Sequence, residues 1–187
     1  MNPLNHLDPD RKRLLEILRK NAFFKEKITL SSGKSSDFYI DARRVTLSAE
    51  GCYLCAKIIL DILKDDRVEA IGGPTLGADP LLGAFGVLSF QAGKPVNTFI
   101  IRKAPKSYGK QQQIEGPLLS PDARVVLIDD VATTGKSFVE SIEVLNKMGI
   151  KPLKAVCIVD RKEGAAEILA RHSCELVSIF NLSDFPL

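Results

Sequence analysis

The sequence lacks any apolar run long enough to cross a bilayer. Its longest runs, such as Lys57–Leu63 and Val125–Ile128, are broken by charge well short of the roughly 18 residues that a span requires. No basic-then-apolar leader opens the chain, since Met1 to Asp10 is polar and runs directly into an amphipathic pattern. Secretion and membrane insertion are therefore not expected, and a cytoplasmic location is. Strong charge of one sign is also missing. The net charge is +3, mild for a nucleic-acid binder, which more often concentrates a basic excess on one face. There is no internal repeat, low-complexity tract, long linker or nucleophile elbow, and both histidines, His6 and His172, fall outside every motif described below. Cysteine is scarce. Cys52-Tyr-Leu-Cys55 has metal-ligand spacing, but no second CxxC or CxxH accompanies it. The surrounding stretch reads as an amphipathic helix whose inward face takes both thiols, the alternative being zinc or redox chemistry. Free cysteine packs as a small core hydrophobe and suits a reducing compartment.

What is present fits one domain with a full core. A chain of 187 residues, 45% hydrophobic and 26% charged, is too short for two ordinary domains. Helical periods alternate with short β-branched runs, the pattern of an α/β domain with a parallel sheet. Helices are expected over Pro9–Asn21, Ala49–Lys64, Thr134–Met148 and Gly164–Ala170, with another behind the glycine-rich loop that starts at Gly73. Strands are expected over Val68–Gly72, Val96–Ile101, Arg124–Ile128, Ala155–Val159 and Glu175–Phe180. Phe23 to Asp41 reads as irregular and partly extended, and Arg102–Gly116 as an exposed loop. Sheets of this class carry ligands outside the carboxyl ends of their strands.

The most informative stretch is Val125-Val-Leu-Ile-Asp-Asp-Val-Ala-Thr-Thr-Gly-Lys-Ser137. Four apolar residues make a strand buried on both faces, and Asp129 and Asp130 are expected to stop it. A turn of small hydroxyl residues and glycine follows, and then a helix. Backbone N–H groups at such a helix start favour a phosphate. Carboxylates beside a phosphate site make sense where they face sugar hydroxyls or a hydrated metal. Ordinary helix capping accounts for one Asp and one Thr, but not for two carboxylates, two threonines, a glycine and a serine together. A Walker A loop is excluded, because its first glycine would have to stand at Asp130.

This segment resembles the ribose-phosphate loop of type I phosphoribosyltransferases. The resemblance implies an α/β fold with a mainly parallel sheet flanked by helices and a small N-terminal hood, formed mainly by about residues 1–45 of a single domain. It implies that Asp129 and Asp130 hold the ribose hydroxyls of phosphoribosyl pyrophosphate (PRPP). Ala132, Thr133, Thr134, Gly135, Lys136 and Ser137 would wrap its 5′-phosphate and Val131 would join the PRPP-binding residues, with Mg²⁺ held through PRPP and water rather than by direct protein ligands.

Three further stretches resemble the orotate phosphoribosyltransferase family within that class. Thr29-Leu-Ser-Ser-Gly-Lys-Ser-Ser-Asp-Phe-Tyr-Ile-Asp41 is similar to its hood, where Phe38 and Tyr39 offer flat surfaces to a planar base. Some members have lysine at the position of Ser31, and here Lys34 is the nearer candidate. Arg102-Lys-Ala-Pro-Lys-Ser-Tyr-Gly-Lys110 reads in isolation as a solvated charge run. In the family's context it is a lid bringing Arg102, Lys103 and Lys106 to a departing pyrophosphate, and Tyr108 stands where histidine is expected. A tyrosine hydroxyl still donates to a phosphate oxygen but carries no positive charge near neutral pH. Val156-Cys-Ile-Val-Asp-Arg-Lys-Glu-Gly164 places Arg161, with Thr133, against orotate; a surface ion pair with Glu163 or Asp160 is the alternative. Gly72-Gly-Pro-Thr-Leu-Gly-Ala-Asp79 is placed like the pyrophosphate loop, with Gly77 where some relatives have lysine. These matches run from about Thr29 to Gly164 in the family's order. They imply orotidine 5′-monophosphate formation in pyrimidine biosynthesis by a homodimer whose lids reach the neighbouring site, without nucleic-acid or membrane partners. A purine or uracil phosphoribosyltransferase, or a non-catalytic PRPP-binding regulator, would share the acid-pair loop.

Overall fold

The chain is described from a computed structural model covering residues 8–29, 35–104 and 113–186. Helix α1 (Pro9–Asn21) starts where Asp8 accepts the Arg11 amide at 3.0 Å with Pro9 behind it, and it buries Leu14, Leu15, Ile17 and Leu18. Two small antiparallel pairings follow. Strands β1 (Phe23–Phe24), β2 (Ile28–Thr29), β3 (Ser35–Ser36) and β4 (Tyr39–Ile40) nest so that β1 pairs with β4 and β2 with β3. This is the partly extended region expected from sequence. It leads into α2 (Arg43–Thr46), one turn too short for periodicity to announce, and into α3 (Ala49–Ile62), capped by Ser48.

The main sheet contains β5 (Ala70–Pro74), β6 (Asn97–Ile101), β7 (Ile114–Glu115), β8 (Val125–Ala132), β9 (Lys154–Asp160) and β10 (Glu175–Asn181). Its order is β10-β9-β8-β5-β6-β7, parallel throughout except for the antiparallel β6–β7 edge. Helix α4 (Asp79–Gln91) covers one face, and α5 (Lys136–Asn146) and α6 (Ala165–Arg171) cover the other. The period-2 alternation of a strand divides the apolar residues between two cores. Val126, Ile128, Val156 and Ile158 join α1, α3 and α4, while Val125, Leu127, Ala155 and Cys157 join α5 and α6.

Most element boundaries shift from the sequence expectation by a residue or two, and two of the differences bear on function. The acid pair does not stop β8, whose ladder with β9 continues through Asp129↔Cys157 to Ala132↔Asp160. Pairing with β5, by contrast, ends at Gly72↔Leu127. The chain passes from β5 to β6 on one side and later returns to β8 on the other, so a topological switch lies between β5 and β8. β5 and β8 part there, and the carboxylates lie on β8 beyond its last pairing with β5, where only β9 still flanks it. Helix α5 begins at Lys136 instead of Thr134, because Gly135 sits at φ +79°. A Cβ there would also lie 2.6 Å from Ile168, so glycine serves both the turn and the close approach of α6.

The exposed loop after β6 has structure at its return, where β7 covers the sheet edge. Of the paired cysteines, Cys55 is fully buried while Cys52 is half-buried with its Sγ 3.1 Å from the Pro80 carbonyl oxygen. Burial pushes the Cys55 and Cys157 thiols up, which suits packing rather than thiolate chemistry. No helix among the described residues is long and apolar enough to cross a membrane.

Candidate active site

At the carboxyl ends of these strands lies an open cleft of about 720 Å³. Six separate segments line it: Tyr39–Arg43 from the hood, Pro74–Gly77 after β5, Ile101–Lys103 after β6, Gln113 before β7, the acid-pair segment of β8 with one side of α5, and Arg161 after β9. Tyr39, Arg102, Lys103, Asp129, Asp130, Val131, Thr133, Ser137 and Arg161, all singled out from sequence, therefore meet in one place. Others do not line it. Ala132 and Gly135 are buried, Thr134 is exposed, and exposed Lys136 lies 3.7 Å from Glu140. Lys34, Lys106 and Tyr108 fall outside the described residues.

Asp129 is only 7% exposed, and its two oxygens look in different directions. Oδ1 accepts the Asp130 amide at 2.9 Å, and Oδ2 accepts the Ser137 hydroxyl at 3.0 Å. Asp130 Oδ1 accepts the Val131 amide at 2.8 Å. Burial raises both carboxyls above the usual range, with the neighbouring Asp130 charge adding to the effect on Asp129. Hydrogen bonds from the backbone and Ser137 oppose that rise. Two carboxylates held this way favour hydroxyl donors or cations.

The loop after β5 packs hard against the same pair. A Cβ at Gly77 would lie 2.2 Å from Asp129 Oδ1 and 2.6 Å from Asp130 Oδ1. Gly77, which stands where some relatives have lysine, is thus packed here directly against the acid pair. Within the loop, the Thr75 hydroxyl donates to Asp79 at 2.8 Å.

Arg161 is 4% exposed. Its amide donates to the Ala132 carbonyl at 2.9 Å, fastening the end of β9 beside the acid segment. Its Nε donates to Glu163 at 2.9 Å, so the ion pair considered from sequence does form, but inside the protein and facing the cleft. Asp160 pairs instead with Lys162 at 2.9 Å. The guanidinium carbon lies 4.9 Å from the centroid of the Phe38 ring. Phe38 consequently differs from Tyr39: it lies outside the cleft lining, stacks on Phe23 at 6.0 Å and serves as a platform under Arg161. Phe23 stacks in turn on Phe185 at 5.6 Å.

Sequence reasoning passed over Arg43. It lines the cleft, and its Nε is 3.2 Å from Asp41 Oδ1. Its signal was a pair of arginines after an aspartate, indistinguishable from an ordinary solvated helix start. Glu140, Glu143 and Lys147 of α5 and its C-cap also border the cleft, and none carried a motif.

Residues 16–183 match the phosphoribosyl transferase domain. The orotate phosphoribosyltransferase of Aquifex aeolicus (strain VF5) is 35% identical over 178 residues, covering 94% of this chain and 97% of that protein. That of Bradyrhizobium sp. (strain ORS 278) is 38% identical over 180 residues, covering 94% and 96%. Among solved structures, Mycobacterium tuberculosis H37Rv orotate phosphoribosyltransferase in complex with 5-phospho-alpha-D-ribosyl 1-diphosphate superimposes with a TM-score of 0.78 at 31% identity, covering 94% of this chain and 98% of that one. With a cleft at the β5–β8 switch and relatives matched over nearly their full length, the chain belongs to the orotate phosphoribosyltransferase family of phosphoribosyl transferase domains.

Proposed function

We propose that this chain joins N1 of orotate to C1′ of PRPP, giving orotidine 5′-monophosphate and pyrophosphate in pyrimidine biosynthesis. The C1′–oxygen bond breaks with its electron pair leaving on pyrophosphate, and the N1–C1′ bond forms. Charge in the transition state is then positive on the ribose and negative on the leaving group.

The residues suit that distribution. Asp129 and Asp130 accept hydrogen bonds from the ribose 2′- and 3′-hydroxyls and face the developing positive charge. Val131 to Ser137 receive the 5′-phosphate at the start of α5, with Thr133 and Ser137 reaching into the cleft. Arg102 and Lys103, at the root of the loop after β6, with Lys106 and Tyr108 further along it, meet the leaving group when the loop closes and excludes water. Arg161 receives the orotate carboxylate, and Tyr39, Thr133 and Lys34 border the base. Phe38 acts through Arg161.

The carboxylate-rich wall formed by Asp41, Asp129 and Asp130 fits a hard, hydrated cation, and no cluster of three or more metal-ligating side chains occurs among the described residues. Mg²⁺ held through PRPP and water would neutralise pyrophosphate charge as it develops. The whole chain acts as one domain with its hood formed mainly by about residues 1–45. It works in the cytoplasm as a homodimer in which each loop serves the neighbouring cleft.

One observation carries the choice of orotate. A guanidinium buried in the cleft beside the acid pair, on an aromatic platform, suits a base that bears a carboxylate, and no uncharged base needs it. Purified protein with Mg²⁺ and PRPP is offered orotate, adenine or uracil in turn, while orotate absorbance and pyrophosphate release are followed. Turnover with orotate alone is expected. Turnover with adenine or uracil instead sinks the base assignment, and PRPP binding without any turnover points to a regulator.

A further inference from the structure

Asp129 stands between two parts of the cleft. Its Oδ2 meets Ser137 at the start of α5, while its Oδ1 is the atom a Cβ at Gly77 would strike. The acid pair therefore separates the turn at Thr133–Ser137 from the loop Pro74–Gly77. In a phosphoribosyl ligand, the 5′-carbon and C1′ lie on opposite sides of the ribose. With the hydroxyls on the acid pair and the 5′-phosphate on the turn, the group at C1′ falls at the loop. That group is a diphosphate, densely negative, and it arrives beside two carboxylates. The loop cannot supply a cation at its nearest position, since a side chain at Gly77 has no room.

Resting on the reading of the cleft as a PRPP site, we propose that Arg43 is the cation that binds the diphosphate end of the ligand from the hood side. Arg43 lines the cleft together with Thr75, Leu76 and Gly77, and it borders Leu76 again in the smaller hollow beyond. Asp41 engages its Nε edge at 3.2 Å and the Tyr39 hydroxyl adds a second side-chain interaction, so both orient the fork from the hood side of the cleft. The influence of Arg43 also reaches Asp130, whose proton affinity it lowers, so it acts on the same space as the acid pair. Its neighbour Arg44 provides an internal contrast. The guanidinium of Arg44 lies 4.4 Å from the centroid of the Phe24 ring and does not line the main cleft.

Calorimetric titration of the whole chain with magnesium pyrophosphate, magnesium PRPP and ribose 5-phosphate tests this, with circular dichroism to check folding. Arg43→Gln is expected to weaken pyrophosphate and PRPP binding about tenfold, the scale of one charge-assisted contact, with ribose 5-phosphate within about twofold of wild type. Arg43→Lys should recover part of the loss, and Arg44→Gln should bind all three as the wild type does. Unchanged pyrophosphate affinity in Arg43→Gln, an equal loss for ribose 5-phosphate, or an equal loss in Arg44→Gln overturns the assignment. Because orotate is absent from these titrations, wild-type protein that binds PRPP yet consumes no orotate refutes the base assignment alone. Wild-type protein that binds neither PRPP nor pyrophosphate refutes both.

Discussion

Replacing Gly77 by alanine adds one methyl group where the structure leaves none to spare. The new carbon would sit 2.2 Å from Asp129 Oδ1, about 1.2 Å closer than the 3.4 Å at which ordinary contact begins. Asp129 is poorly able to retreat, because it is buried and both oxygens are engaged, at 2.9 Å by the Asp130 amide and at 3.0 Å by Ser137. The loop must therefore withdraw by about an ångström. Overpacking of this kind costs about 1–3 kcal/mol, and each kcal/mol lowers Tm by about 2–4 °C in a chain of this size. A displacement of about 1 Å beside the reacting centre costs about 100-fold in turnover. Thermal unfolding and kcat/KM with magnesium PRPP and orotate measure the two effects. Gly83→Ala is the matched control: Gly83 lies in α4 with nothing within 4 Å of its would-be Cβ. That substitution should stabilise by about 0.5–1 kcal/mol and leave turnover alone. If Gly77→Ala unfolds at the wild-type temperature with wild-type kcat/KM, the loop does not rest on the acid pair and the geometry built on that contact falls.

Asp129→Asn should raise Tm at pH 8 by several degrees while weakening PRPP binding. The folded carboxyl is raised above its unfolded value by burial and then by Asp130. Between those two values the folded state binds more protons, so stability falls as pH rises through the window, and the cost is fully present above it. The advantage of the variant should accordingly shrink as pH is lowered towards the ordinary carboxylate range, and a variant less stable than wild type at pH 8 contradicts the argument. Arg161→Ala should raise the orotate KM by about 10- to 100-fold, the scale of a lost charge-assisted hydrogen bond, with the PRPP KM nearly unchanged. Equal losses for both substrates count against the carboxylate role.

The elements that could be read from sequence are those whose pattern is local. Pro9–Asn21 shows its cap and its apolar stripe within thirteen residues, and Val125–Ile128 announces a buried strand by composition alone. The two-residue β7 and four-residue α2 are too short for any periodicity, and α2 carries Arg43 into the cleft. The acid pair was legible as chemistry but not as geometry. Nothing in Asp129-Asp130 says that the β8–β9 ladder outlasts the β5–β8 ladder, and that difference makes the opening. Phe38 and Tyr39 look equivalent side by side in sequence. Their roles diverge only because Phe23, from β1, and Arg161, from just after β9, converge on one of them.

The rings under Arg161 run on to the short turn Leu182–Asp184 that follows β10. Phe38 rests on Phe23, Phe23 on Phe185, and Arg19 Nε donates at 2.8 Å to the carbonyl of Asp184. The tail after β10 thus wedges beneath the Arg161 corner of the cleft. A tag, reporter or fused enzyme attached close behind Phe185 pulls on a ring stack two steps from the guanidinium, whereas a spacer of a few residues isolates that stack from whatever is attached.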